Sequence, residues 1–234
     1  MKAVCVLSGG LDSVVCMAIA KSEGLELYSI TFDYGQRAVE KEIIASKKVS
    51  ELFGAIHKVV ELPFIKDFSS SALTKKGVEV PTIKDSELDN LEKATETMEK
   101  VWVPARNMIL FSISSGFAEF VDANYIYTGL NEEEGATFPD NTEEFLNRFN
   151  SALEYGTLNT VKMKSPLYKY TKKEIVKMGK ELEEKLNIEF LKYSYSCYYD
   201  NKTDFLHCGT CESCMRRKRA FKEAGIEDPT EYIL

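Results

Sequence analysis

A chain of 234 residues, 44% of them hydrophobic, can bury a full core as one domain and still carry an appendage. Its 37 acidic against 30 basic residues leave a net charge of −7, which argues against broad electrostatic capture of nucleic acid but leaves a local basic patch open. No apolar run approaches the ~20 residues of a membrane span, and "KAVCVL" at the start is too short and strand-like for a secretory signal. A cytoplasmic protein with no membrane partner and no stable nucleic-acid partner is expected.

"KAVCVL" reads as a buried parallel strand that runs into Ser-Gly-Gly, and "SVVCMAIAKSEG" as a helix closing on Gly24. "LELYSITFDYG" is the second strand. "AVEKEIIASKKVSELFG" places Val39, Ile43, Ile44, Val49, Leu52 and Phe53 at helical spacing and ends on Gly54; "HKVVEL" is the third strand. Strand, helix, strand, helix, strand is the pattern of βαβ units over a parallel sheet. From Phe64 to Lys100 the pattern dissolves, and residues 84–100 carry six acidic groups. A solvated helix or a disordered loop stands here level with a lid over a site, because long insertions in compact domains are often functional.

Order returns at "VWVPARNMILFSISSGFAEF", where Pro104 ends the preceding segment and an apolar helix begins near Asn107. "ANYIYTGL" is a strand ending at Gly129. "FPDNTEEFLNRFNSALEYG" is a helix with acidic residues in its first turn, and "KMKSPL" reads as a last strand. "YTKKEIVKMGKELEEKL" opens on a Thr171–Glu174 capping box. The expected organisation is an α/β, doubly wound parallel-sheet domain over 1–185, with the insertion or lid at about 64–100, followed by a cysteine-rich helical extension over 186–234.

The stretch "VLSGGLDSVV" asks for more than a turn, for which one glycine would do. Adjacent glycines let the backbone approach a ligand, successive N–H groups make a concavity, and the next helix offers its positive end; together these bind phosphate. Ser8 and Ser13 add hydroxyl donors, and Asp12 can cap the helix or help to hold Mg²⁺. Neither G-x-x-x-x-G-K-[ST] nor G-x-G-x-x-G occurs, so the Walker-type loop and the dinucleotide fingerprint are excluded.

Of six cysteines, Cys197, Cys208, Cys211 and Cys214 are spaced C-x₁₀-C-x₂-C-x₂-C. Such crowding suits a metal site in a reducing compartment better than a disulfide framework. Four thiolates suit tetrahedral Zn²⁺ in a closed, structural site. An iron–sulfur cluster is the rival, less favoured because the fourth cysteine lies upstream and no C-x₃-C-P follows. Cys5 and Cys16 read as buried small hydrophobes, His57 as ordinary, and His207 as an alternative ligand made unnecessary by the four cysteines. Arg216, Arg217, Lys218 and Arg219 read mostly as a solvated helix face balanced by Glu223, Glu227 and Asp228, rather than as a phosphate or partner site.

"SGGLDS" resembles the S-G-G-x-D-S loop of the PP-loop ATP pyrophosphatases. "TFDYGQR" (31–37), "VPARN" (103–107), "TKKEIVKMG" (171–179) and "SCYYD…HCGTCESCMRR" (196–217) then resemble the 7-cyano-7-deazaguanine synthase family, in order and spacing, from residue 4 to about residue 229. The resemblance implies an adenine nucleotide α-hydrolase-like fold with a zinc-binding tail. It implies a carbon–nitrogen ligase that converts 7-carboxy-7-deazaguanine and ammonia to the nitrile through adenylated intermediates, in the route to queuosine and archaeosine. It also implies ATP as co-substrate, Mg²⁺, one Zn²⁺ per chain on the four cysteines, and a homodimer.

Carried over by position, the ATP site comprises Leu7, Ser8, Gly9, Gly10, Leu11, Asp12, Ser13, Val14, Val15, Cys16, Met17, Phe32, Tyr34, Gln36 and Gly129. The catalytic set is Asp12, Ser13, Arg106 and Lys173, with Lys173 as a second phosphate ligand. Arg106, Asn107, Asn131, Phe138 and Asp140 are expected to meet the substrate. The loop "LNEEEGATFPDNTEEF" departs from the family's tyrosine-proline-aspartate-cysteine-arginine run: Phe138 replaces the tyrosine, and Asn141 and Thr142 stand at the cysteine and arginine. A related ligase acting on a different acceptor, a tRNA thiolase of the same superfamily, and a non-enzymatic zinc module binding nucleic acid through "MRRKR" remain as alternatives.

Overall fold

Five strands form one parallel sheet in the order β3-β2-β1-β4-β5 in the computed structural model, which describes residues 1–199 and 205–233. They are β1 (Lys2–Val6), β2 (Glu26–Asp33), β3 (Ile56–Glu61), β4 (Tyr125–Tyr127) and β5 (Lys162–Lys164). The helices, in chain order, are α1 (Leu11–Ser22), α2 (Val39–Phe53), α3 (Leu91–Val101), α4 (Arg106–Phe120), α5 (Glu132–Gly135), α6 (Glu143–Gly156), α7 (Lys172–Leu186) and α8 (Glu212–Ala224). The predicted "KMKSPL" strand is β5, and the Thr171–Glu174 capping box opens α7.

Side chains on β1 alternate between the faces. Ala3 and Cys5 join the core beneath α1, α7 and α8 with Leu27, Phe53, Phe190 and Phe221. Val4 joins the opposite core with Ile30, Phe111, Ile126 and Met163, under α4 and α6. Covering on both faces explains why the strands read as continuous apolar runs. Since β1 pairs with both β2 and β4, strand order reverses there, and the crevice beyond the carboxyl ends of β1 and β4 is where an open parallel sheet binds ligands. Ile44, expected on the apolar face of α2, is instead exposed.

The 84–100 insertion is structured. A 3₁₀ turn at Asp85–Glu87 leads to α3, whose N-cap Asn90 side chain accepts from Lys93 N, and Ala94, Thr97 and Val101 are buried. The segment ahead of it is tied to the tail: Thr82 bridges Cys211, Glu212 N donates to Pro81 O, and Arg219 pairs with Asp89 at 2.7 Å. The far end stacks Trp102 on Phe138, with ring centroids 6.3 Å apart. The insertion is a strap running from the cysteine tail to the rim of the crevice. No helix among the described residues is long and apolar enough to cross a membrane.

Candidate active site and metal centre

Gly9 has a φ of +79°, which favours glycine, and a Cβ there would lie 2.7 Å from the Ala45 Cβ and 2.9 Å from Glu42 O. The loop therefore lies flat on α2. Gly129, at the end of β4, is constrained by space: a Cβ would stand 2.9 Å from the carbonyl carbon of Asp12 and from Ser13 N. Gly10 offers no side-chain cap to α1, so the first N–H groups of that helix stay available to an anion. Ser13 Oγ donates to Gly10 O at 2.9 Å and lies 3.2 Å from Ser8 Oγ. In front of this loop is a cavity of about 290 Å³.

Lys172 is the main cation beside the loop. Its Nζ donates to Asp12 Oδ2 at 2.5 Å and to Glu134 Oε1 at 2.9 Å. Burial pushes the Asp12 carboxyl above its usual range, against the pull of Lys172. Burial also acts on Glu134, but the charge and hydrogen bond of Lys172, with help from Asn131 and Arg106, outweigh it and hold Glu134 low. Asp12 Oδ1 is buried without a partner. Glu133 accepts from Lys172 N at 2.8 Å and lies 3.5 Å from Arg216, which also pairs with Glu212 at 2.9 Å. Arg106 donates from Nε to Asn107 Oδ1 at 3.1 Å, and its charge is felt by the Tyr34 hydroxyl.

Among the expected residues, Leu7, Ser8, Gly10, Leu11, Asp12, Ser13, Phe32, Tyr34, Gln36, Gly129, Arg106, Asn107 and Phe138 line the cavity. Val14, Val15, Cys16 and Met17 do not; the turn of α1 carries them into the core. Gly9 is spent on packing against α2. Asn131 is buried and caps α5 by accepting from Glu134 N at 3.0 Å. Asp140 stands behind the wall, its carbonyl accepting from Asn107 Nδ2 at 3.4 Å. Lys173 is corrected to Lys172: they are the first two residues of α7, and a step of ~100° around the helix turns only Lys172 into the crevice. Glu42, Glu133, Glu134 and Arg216 also line the cavity and were not anticipated. The run of glutamates after the β4 glycine was a usable signal; Glu42, on a helix with no motif of its own, carried none.

The basic run is not a solvated face. Arg217 is 1% exposed, donating from Nε to Asp228 at 3.1 Å and from Nη1 to Ser194 Oγ at 2.8 Å. Arg216 faces the cavity, Lys218 donates to Gly209 O, and Arg219 holds the strap through Asp89.

The Sγ atoms of Cys197, Cys208, Cys211 and Cys214 all lie within 4.8 Å of one another. Cys208 and Cys214 are 3.8 Å apart, close to the ~3.8 Å edge of a tetrahedron with ~2.3 Å metal–sulfur bonds. Backbone N–H groups aim at sulfur: Cys208 N at Cys197 Sγ and Cys211 N at Cys208 Sγ, both 3.3 Å. These residues fit a four-coordinate metal ion. His207 is otherwise engaged, its Nε2 accepting from Ser196 N at 2.9 Å. His57 hydrogen-bonds Thr31 Oγ1 at 2.8 Å.

Residues 2–225 match the family described as "Queuosine biosynthesis protein QueC". A protein of Methanococcus aeolicus named 7-cyano-7-deazaguanine synthase is 92% identical over 234 residues, 100% of both chains. Proteins of that name from Methanocaldococcus jannaschii and Methanococcus maripaludis strain C6 are 63% and 61% identical, again over 100% of both chains. Because the match takes in both the glycine loop and the cysteine tail, the chain belongs to the QueC family.

Proposed function

We propose that this chain makes 7-cyano-7-deazaguanine from 7-carboxy-7-deazaguanine, ammonia and ATP, as a cytoplasmic homodimer. The observation that carries the reading is full-length identity to proteins of that name, in a chain whose glycine loop opens onto a cavity at the point where strand order reverses.

The chemistry follows from leaving groups. A carboxylate oxygen leaves poorly and AMP leaves well. The carboxylate attacks the α-phosphorus of ATP, giving an acyl adenylate and pyrophosphate; ammonia adds, and AMP departs with the acyl C–O bond, leaving an amide. The amide oxygen attacks the α-phosphorus of a second ATP and expels a second pyrophosphate, and loss of AMP and protons from the adenylated amide gives the nitrile. The N–H groups of the loop, Ser8 and Ser13 grip the pyrophosphate end. Lys172 moves from its carboxylates to the phosphates, where preorganised positive charge counts most. Asp12, through its unpartnered Oδ1, and Glu134 would hold Mg²⁺, which spreads the leaving-group charge when bound. Arg106 suits the substrate carboxylate, which a planar guanidinium can take at two oxygens. Zn²⁺ on the four cysteines is structural, since four thiolates leave no open position.

A thiolase would need a reactive thiol beside the loop. Cys5 and Cys16 are 1% and 2% exposed, and burial raises both thiols above their ordinary range. Mass spectrometry of products tests the reading: AMP, pyrophosphate and nitrile are expected only when the deazaguanine carboxylate, ammonium and Mg·ATP are all present. ATP turnover indifferent to the deazapurine would overturn it.

A further inference from the structure

Glu42 lies on α2 and presents its carboxylate to the cavity on the side built from the end of β2. Gln36 is spent on holding it there. Its Oε1 accepts from Tyr34 N at 2.9 Å, and its Nε2 donates to Phe32 O at 2.8 Å and to Glu42 Oε2 at 2.9 Å. With both amide protons engaged, Gln36 has no donor left for a ligand. Among the described residues Gln36 alone donates a hydrogen bond to Glu42, at Oε2, and Glu42 lines the cavity.

Burial pushes the Glu42 carboxyl up to about 7, although the Gln36 bond and the charge of Arg106 pull it back. A carboxylate so poorly solvated gains from any pair of donors brought to it. Phe32, Tyr34 and Phe111 add aromatic wall to the same cavity, as a flat ring requires.

Two rings compete for such a site. The amino edge of adenine sets one donor beside a ring-nitrogen lone pair, which a carboxylate repels. The edge of a 2-amino-4-oxopyrimidine sets a ring N–H beside an amino group, two parallel donors that match the two oxygens of a carboxylate. We propose that Glu42 reads the 2-amino-4-oxopyrimidine edge of the acceptor base, with Gln36 as its positioning residue. This assignment rests on the deazaguanine reading above.

The test compares wild type with Glu42→Gln, using 7-carboxy-7-deazaguanine and its analogue lacking the 2-amino group, with KM measured for each and for ATP. Wild type should prefer the 2-amino substrate by about 30-fold or more, because a site built for a donor rejects a ligand without it. Glu42→Gln should raise the KM for the 2-amino substrate about 10- to 100-fold. It should leave the KM values for ATP and for the analogue within about threefold, so that the preference collapses. Gln36→Leu should weaken the same preference to a smaller degree. Melting temperature and metal content confirm that each variant is folded. A Glu42→Gln enzyme that keeps the preference, or whose ATP KM rises instead, overturns this assignment alone. A wild type that ignores both deazapurines overturns the acceptor reading and this assignment with it.

Discussion

Lys172 is held between two carboxylates, 2.5 Å from Asp12 and 2.9 Å from Glu134, with 12% of its side chain exposed. The arrangement stores a phosphate-binding cation beside the loop until an anion displaces it. Lys172→Met leaves the largely buried Asp12 and the 37%-exposed Glu134 without their cation. With Glu134 screened by solvent, that should cost about 1–3 kcal/mol of stability and lower kcat/KM for ATP by about 100-fold or more. Lys173→Met, one position further along α7, should stay within about threefold of wild type. Steady-state kinetics on both variants, with thermal melts, separate them.

Gly129 holds β4 against the loop, where a Cβ would meet Asp12 and Ser13 backbone at 2.9 Å. Backbone cannot swing aside as a side chain can. Gly129→Ala should therefore displace the loop, lowering kcat by about 10-fold or more for a stability loss of about 1–3 kcal/mol. A crystal structure or melting curve with unaltered kinetics would show that the loop tolerates the contact.

Glu42 links site and stability through pH. Its carboxyl is raised from 4.5 to about 7 in the folded chain. Between those values the folded state binds the proton and the unfolded state releases it, so this group's contribution to stability falls as pH rises through that window. Below about pH 4.5 both states are protonated and the effect vanishes. Glu42→Gln removes the penalty, so the ligand-free variant should be more stable than wild type at pH 8, by about 3 kcal/mol, and about equal to it at pH 4.5. Melting curves at the two pH values read the difference directly. The same carboxylate that costs stability when the cavity is empty is the one proposed to read the acceptor.

Removing the metal should loosen more than the tail. Cys211 bridges Thr82, and Glu212, the next residue, donates to Pro81, so the knuckle anchors the strap that reaches Trp102. Chelation or Cys214→Ser should lower the melting temperature by about 10 °C or more, and should open the strap between residues 70 and 90 to proteases. Metal analysis should find one zinc per chain in the untreated, colourless protein. Loss of metal with an intact strap would confine the centre's role to the tail.

Much of this was legible along the chain because it depends on local rules. Apolar runs and glycine punctuation marked the strands and their ends; the bare loop after β1 announced an anion site; cysteine spacing announced the metal. Each is set by residues a few positions apart. What the sequence could not determine is which side chains converge. That depends on how α2, α7 and α8 dock against a sheet whose order is β3-β2-β1-β4-β5. Docking turns Lys172 rather than Lys173 to the loop, and buries Arg217 on Asp228 in a run that reads as solvent-facing. It also brings Glu42, without motif or spacing to mark it, to the cavity wall. Backbone periodicity is a one-dimensional property and was readable as such. The charges at this site are compensated between residues as far as 160 positions apart, as Asp12 and Lys172 are, and only the folded chain brings them together.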